Sequence, residues 1–256
     1  MADKKHLKAI LFDLDDTLLD WGSVTQDWFE FETRFLERVR TWIESQGYTL
    51  AAETFADEFR RRNQIAWENG RSNYVAPHMG RILVEAAEVA GVPAGKLDSD
   101  ACLRAMERGA IEGTAAFPDA FRVLTEIRNA GVKTAIVTNA SQPMWLRDYE
   151  MEFHGLLPYF PDCRLSAADI GYLKPHPAIF EAALRCLGVT VDEAVFVGDS
   201  LSADIVGAQG VGLAAVWHKP RPMMSLLDGL VTPDATVTTL ADLPAALDTL
   251  FPDWRQ

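Results

Sequence analysis

Asp13, Asp15 and Asp16 follow the apolar run Ile10-Leu11-Phe12, with only Leu14 among them. A short apolar run that switches into acids reads as a buried strand emptying into a polar loop. Asp13 then stands at the strand's carboxyl end, and Asp15 crowds the same edge of a sheet. Two like charges about 4 Å apart repel by roughly 4 kcal/mol at an effective dielectric near 20, so a fold that keeps them together needs a cation beside them. A solvated Asp-rich turn is the competing reading, which residues elsewhere in the chain have to decide.

Further apolar runs end in equally reactive residues. Ile136-Val137 leads into Thr138-Asn139, and Val195-Phe196-Val197-Gly198 leads into Asp199. In an open parallel sheet, ligands bind beyond the carboxyl ends of the strands, so Asp13, Thr138, Asn139 and Asp199 converge if their strands are neighbours. Lys174, in the loop Gly171-Tyr172-Leu173-Lys174-Pro175-His176-Pro177, precedes a helix start that Pro175 or Pro177 can set, and leans over the same edge. Asp13 and Asp199 offer hard oxygen ligands suited to Mg²⁺. Thr138, Asn139 and Lys174 supply a hydroxyl, an amide and a fixed positive charge suited to phosphoryl oxygens. Asp204 lies close enough to Asp199 to brace a metal-bound water or Lys174.

The elements that must position these residues follow two rhythms. Trp28, Phe31, Phe35, Val39 and Trp42 recur at helical spacing with charged residues between them, which predicts a long amphipathic helix closed by Gly47. Further helices are predicted over residues 55–67, 81–90 and 102–111, with Gly91 ending the second of these, and no strand is evident in the region. After residue 113 the rhythm becomes helix, glycine, strand. Residues 119–130 read as a helix and 132–137 as a strand; 177–187 and 194–197 repeat the unit, and so do 204–209 and 213–217. Weaker strands are read at 163–166 and 235–238, before a last helix at 242–250. The pattern predicts an α/β fold: a Rossmann-like parallel sheet with helices on both faces, plus an inserted all-α cap. The core comprises residues 1–19 and 113–256, and the cap residues 20–112.

Bulk properties narrow the function. The formal net charge of −13 disfavours nucleic acid and anionic membrane as partners, since both are held by clustered Lys and Arg. Arg60-Arg61-Arg62 reads as a solvated helix face. Cys102, Cys163 and Cys186 show neither metal-ligand spacing nor a disulfide framework, which favours a reducing compartment. The N-terminal stretch has neither a leader's nor a membrane span's pattern, so the expected location is the cytoplasm. Oligomeric state leaves no signature. His78, His154, His176 and His218 are scattered and read as structural, with His176 the one able to reach a substrate. Ser141 and Ser200 lack a His–acid arrangement, and neither a Gly-x-Ser-x-Gly elbow nor a nucleotide-phosphate loop occurs. In the insertion, Trp21, Asn63, Trp67, Arg71 and Asn73 are candidates to meet a leaving group, against surface or core roles.

Taken in order, Phe12-Asp13-Leu14-Asp15-Asp16-Thr17, Ile136-Val137-Thr138-Asn139, Lys174-Pro175, and Val197-Gly198-Asp199-Ser200 with Asp204 resemble the four motifs of the haloacid dehalogenase superfamily of hydrolases. The insertion after the first motif resembles the C1-type cap of that superfamily's phosphatases. The resemblance implies that Asp13 is a nucleophile forming an aspartyl-phosphate and that Asp15 protonates the leaving oxygen and later deprotonates the attacking water. It further implies a Mg²⁺ held by Asp13, the main-chain carbonyl of Asp15 and Asp199, with Thr138 and Lys174 orienting the phosphoryl group. Dehalogenases of the superfamily lack an acid at the position of Asp15, so its presence favours phosphoester chemistry on a small phosphorylated metabolite. Ala203 stands where many capped relatives have Asn. A phosphomutase and a phospho-accepting signalling module are the alternative functions; a ready route to hydrolysis through Asp15 and a cap that obstructs docking count against the second.

Overall fold

The computed structural model describes residues 6–107, 109–221, 227 and 229–255; the first five residues of the stretch read for a leader lie outside these. In chain order the elements are β1 (Ala9–Phe12), β2 (Leu19–Asp20), α1 (Trp28–Ser45), α2 (Ala52–Asn73), α3 (Met79–Val89), α4 (Ser99–Ala105), β3 (Ala115–Ala116), α5 (Ala120–Asn129) and β4 (Lys133–Thr138). They continue with α6 (Met144–Phe153), β5 (Cys163–Ser166), α7 (Ala167–Ile170), α8 (Pro177–Leu187), β6 (Ala194–Gly198), a π-helical turn (Leu201–Ile205), α9 (Val206–Gly210), β7 (Ala214–His218), β8 (Ala235–Val237) and α10 (Leu243–Leu250).

The six-stranded sheet has the order β5-β4-β1-β6-β7-β8 and is parallel throughout. β1 lies inside it, with Phe12 opposite Ile136 of β4 on one side and Val197 of β6 on the other. The chain fills one side of β1 with β4 and β5 and then crosses to β6, so the switch in strand order falls at the carboxyl end of β1. Alternate residues of a strand face opposite ways. Ile10 and Phe12 accordingly enter a cluster with Val123, Ile127, Met151, Leu243 and Leu247, whereas Ala9 and Leu11 join Ile179, Phe180, Phe196 and Ala208 on the other face. Helices cover both faces, which is why β1 reads as an unbroken apolar run.

The four helices α1 to α4 bury a third cluster around Phe35, Val39, Ile43, Phe55, Phe59, Leu83 and Leu103. Asp27 caps α1 by accepting from the Phe29 and Glu30 amides at 2.9 and 3.0 Å. Leu146 of α6 enters this cluster, so the insertion packs on the α/β layer through that helix.

Several local expectations change. The helix expected over 55–67 runs from Ala52 to Asn73, because polar residues after Trp67 hid its last turns. The helix expected over 102–111 is capped by Asp98 and covers Ser99–Ala105. β2 and β3 form an antiparallel pair at the root of the insertion, Leu19 opposite Ala116, where no strand was expected. α6 was also unforeseen. Finally, Cys163 of β5 and Cys186 of α8 form a disulfide with Cα atoms 6.0 Å apart. This corrects the expectation of unpaired cysteines: strand and helix pack side by side, which linear spacing does not reveal.

Candidate active site

β1 places the first acid. The Asp13 amide donates to Val197 O at 2.9 Å, prolonging the ladder one residue beyond the strand. The chain then folds back: Leu18 and Leu19 both donate to Leu14 O at 2.9 Å, and Asp16 takes a left-handed φ of 56°. The turn brings Asp13, Asp15 and Asp16 to one cavity of about 320 Å³, whose wall also includes Thr138, Asn139, Lys174, Asp199, Ser200, Ala203 and Asp204. Asp13, Asp15, Thr138, Asn139, Lys174, Asp199 and Asp204, the seven residues expected to carry the chemistry, therefore border the same space.

Lys174 organises its floor. The buried ammonium lies 2.6 Å from Asp13 Oδ1 and 2.8 Å from Asp204 Oδ1. The loop that delivers it is clamped by Asn139, whose Oδ1 accepts from Lys174 N at 2.7 Å and whose Nδ2 donates to Lys174 O at 3.0 Å. This departs from the phosphate-binding role expected of the Asn139 side chain: both ends of its amide are spent on the lysine loop. Asp204 belongs to the π-helical turn, and its Oδ2 accepts from Ser200 N at 2.9 Å. It braces Lys174, one of the two roles foreseen for it.

Asp13, Asp199 and Asp204 hold carboxylate oxygens within 4.8 Å of one another. Burial, and then the charges of Asp204 and Asp15, raise the Asp13 carboxyl to about 7 against the opposing pull of Lys174. Burial together with Asp13 and Asp204 pushes Asp199 to about 8. Lys174 is shifted upward: burial acts to lower it, but the charges of Asp13 and Asp204 prevail. Three carboxylates against one ammonium leave negative charge uncompensated, and an all-oxygen donor set of this kind fits Mg²⁺. Asp15 was counted with the metal residues through its main-chain carbonyl; its carboxylate stands apart from the trio.

The Asp15 carboxylate instead meets Trp21 and Thr138, both candidates from the sequence, and Arg147, which the sequence reading passed over. Its Oδ1 accepts from Arg147 Nη2 at 2.6 Å and Trp21 Nε1 at 2.9 Å, and Thr138 Oγ1 stands 3.5 Å from Oδ2. Arg147 lies on α6 and is held on its other side by Glu150 at 2.8 Å, both side chains being 4% exposed. Burial acts to lower the Arg147 guanidinium, but the charges of Asp15 and Glu150 shift it upward. The available signal was Arg147 and Glu150 standing on a helix face with Met144, Leu146 and Met151.

Other candidates resolve simply. Trp67 and Arg71 line a second cavity of about 620 Å³, with Tyr74, Leu173 and Val206, which shares Asn139, Lys174 and Ala203 with the first. Asn73 Oδ1 accepts from Val75 N at 2.9 Å, and the buried carbonyl of Asn63 has no hydrogen-bond partner among the described residues. His176 stacks on Tyr172 with centroids 4.0 Å apart and accepts from Ala178 N, and His78 caps α3. Among the described residues no helix is long and apolar enough to cross a membrane.

Similarity to known proteins agrees with this geometry. The chain is 32% identical over 214 residues to ribulose-1,5-bisphosphate 5-phosphatase of Halopiger xanaduensis, covering 83% of this chain and 84% of that one. It is 30% identical over 222 residues to glyceraldehyde 3-phosphate phosphatase of Pyrococcus abyssi, with coverages of 83% and 82%. The crystal structure of a HAD phosphatase from Thermococcus onnurineus superposes with a TM-score of 0.61 at 27% identity, covering 94% of this chain and 98% of that one. The profile of the haloacid dehalogenase-like hydrolases matches residues 7–212, a span that takes in β1, the helical insertion and every loop lining the 320 Å³ cavity, and the chain belongs to that family of hydrolases.

Proposed function

We propose that the protein is a Mg²⁺-dependent phosphomonoester hydrolase that works through an aspartyl-phosphate. The observation that carries this reading is the contrast between its two acids in one cavity: Asp13 held by Lys174 at 2.6 Å, and Asp15 held by Arg147 at 2.6 Å. The phosphatase names of its relatives support the same reaction, and Asp15 favours it over dehalogenation, in which a halide departs without a proton.

In the first step a carboxylate oxygen of Asp13 attacks phosphorus, the ester P–O bond breaks, and Asp15 gives its proton to the departing oxygen. In the second, water attacks phosphorus, Asp15 takes the water's proton, and the Asp13–phosphorus linkage opens to release phosphate. Lys174 fixes the nucleophile and counters charge on the phosphoryl oxygens, and Thr138 offers them its hydroxyl. Asp13 and Asp199, with the Asp15 carbonyl, would hold a Mg²⁺ that lends positive charge to the phosphoryl group when bound. The 620 Å³ cavity between α2 and the Lys174 loop would receive the leaving group, with residues 20–112 acting as the cap and residues 1–19 and 113–256 as the catalytic core.

The substrate on this reading is a small phosphorylated metabolite, and a cytoplasmic location goes with it. Incubation with p-nitrophenyl phosphate tests the function. Release of nitrophenol should require Mg²⁺ and vanish in Asp13→Asn; a stable phosphoprotein without turnover would refute hydrolysis.

A further inference from the structure

We infer that Arg147 is a positioning residue for the acid–base step: with Trp21, it fixes the Asp15 carboxyl so that the transferable proton resides on Oδ2. This rests on the phosphomonoesterase reading and goes beyond it.

The argument is one of lone pairs. Asp15 Oδ1 accepts two N–H groups, from Arg147 Nη2 at 2.6 Å and Trp21 Nε1 at 2.9 Å. A proton on Oδ1 would confront those donors. Among the described residues, Oδ2 carries only the 3.5 Å approach of Thr138 Oγ1, a group that can accept as well as donate and that belongs to the cavity wall. The proton passed to a leaving oxygen, and later taken from water, therefore travels through Oδ2. A proton on the wrong oxygen would be turned away from the substrate.

The supporting shell is built for this purpose. Arg147 and Glu150 are one helical turn apart on α6, each side chain 4% exposed, with 2.8 Å between Nη1 and Oε2. Neither Glu150 oxygen has a hydrogen-bond partner among the described residues, and Arg147 is the cation it faces. Burying such a pair costs several kcal/mol per ion unless the geometry compensates, and an apolar pair of similar volume would fill the space with less penalty. What an apolar pair could not do is direct a bidentate-capable guanidinium at Asp15. Trp21 reaches the same oxygen from the root of the insertion and stacks on Trp28, the first residue of α1, at 6.1 Å. The acid is thus oriented jointly by α6 and by the insertion.

Leaving-group dependence separates positioning from mere structural support. Benzyl phosphate and p-nitrophenyl phosphate have leaving groups of similar size, but benzyl alkoxide needs a proton and p-nitrophenolate scarcely does. With Mg²⁺ present, kcat/KM reports transfer to Asp13. Arg147→Met should reduce kcat/KM for benzyl phosphate by about 100-fold, within the range general acid catalysis supplies, and for p-nitrophenyl phosphate by less than about 10-fold. Trp21→Phe should move the ratio the same way by a smaller factor, and Arg147→Lys, which keeps a donor, should recover part of the benzyl activity. Should Arg147→Met fail to fold because Glu150 is stranded, the Arg147→Met/Glu150→Met pair and Trp21→Phe serve under the same criterion. Equal losses on both esters, or none, would overturn the inference while leaving the hydrolase reading intact. A wild-type protein inactive on both esters would overturn both.

Discussion

Gly198 decides where Lys174 can stand. A Cβ on this residue would lie 2.3 Å from Asp204 Oδ2 and 2.4 Å from its Cγ, and Asp204 is the carboxylate that holds the ammonium at 2.8 Å. Gly198→Ala must displace Asp204, so it should destabilise the fold by about 1–3 kcal/mol, as overpacking of a buried site does. It should also cut kcat, because Lys174 then loses one of its two anchors. Urea unfolding and steady-state kinetics check both effects, and an unchanged kcat would detach Asp204 from the lysine. The gathering of these residues at one cavity was largely legible in the sequence: Asp13, Thr138 and Asp199 each follow an apolar run, and an apolar run ending in a polar residue marks a strand end. Arg147 left only the faint signal of a charge on an apolar helix face. A buried charge looks like a surface charge until its partner, here Asp15, arrives from a part of the chain 132 residues away.

Among the elements, α2 is the one whose docking governs the cavities. Gly70 lets it approach the Lys174 loop: a Cβ there would meet Leu173 Cδ1 at 2.9 Å and Val75 O at 3.0 Å. Gly70→Val should lift the helix from the loop and perturb the 620 Å³ cavity more than the 320 Å³ one. The expected result is a rise in KM for bulky esters with a smaller change in kcat; a change confined to kcat would place the leaving group elsewhere. The helical insertion itself could be read from the spacing of Trp28, Phe31, Phe35 and Val39, since periodicity reports which face is buried. The last turns of α2 could not, because Glu68, Asn69, Gly70 and Arg71 carry no apolar stripe and are helical through tertiary contact. The same cause concealed α6, whose buried face includes Arg147 and Glu150.

For the molecule as a whole, pH governs stability, and a bound metal would add to it. His218, buried at the end of β7, is held down to about 4 by burial. The unfolded chain takes up that proton near 6.5 and the folded one only near 4, so stability rises with pH across this window and is lost on acidification. The loss approaches about 3 kcal/mol below both values. His218→Phe should flatten the acid limb relative to the wild type; the opposing contributions of Asp13 and Asp199, raised to about 7 and 8, are common to both chains and cancel in the comparison. If the two limbs coincide, His218 is not the group responsible. Mg²⁺ at a hundredfold excess over its dissociation constant should stabilise the fold by about 2.7 kcal/mol, and Asp199→Asn should abolish the gain in a calorimetric scan.

The insertion is also tied to the loops that carry Asn139 and Lys174 by main-chain bonds: Met79 N to Ser141 O at 2.8 Å, Ala76 N to Gly171 O at 2.9 Å and Leu173 N to Tyr74 O at 2.8 Å. These three amides span the seam between helices and sheet, so their deuterium uptake keeps time for its opening. Should substrate analogues slow all three together while the amides of β1 remain untouched, the seam breathes as a hinge rather than by local fraying.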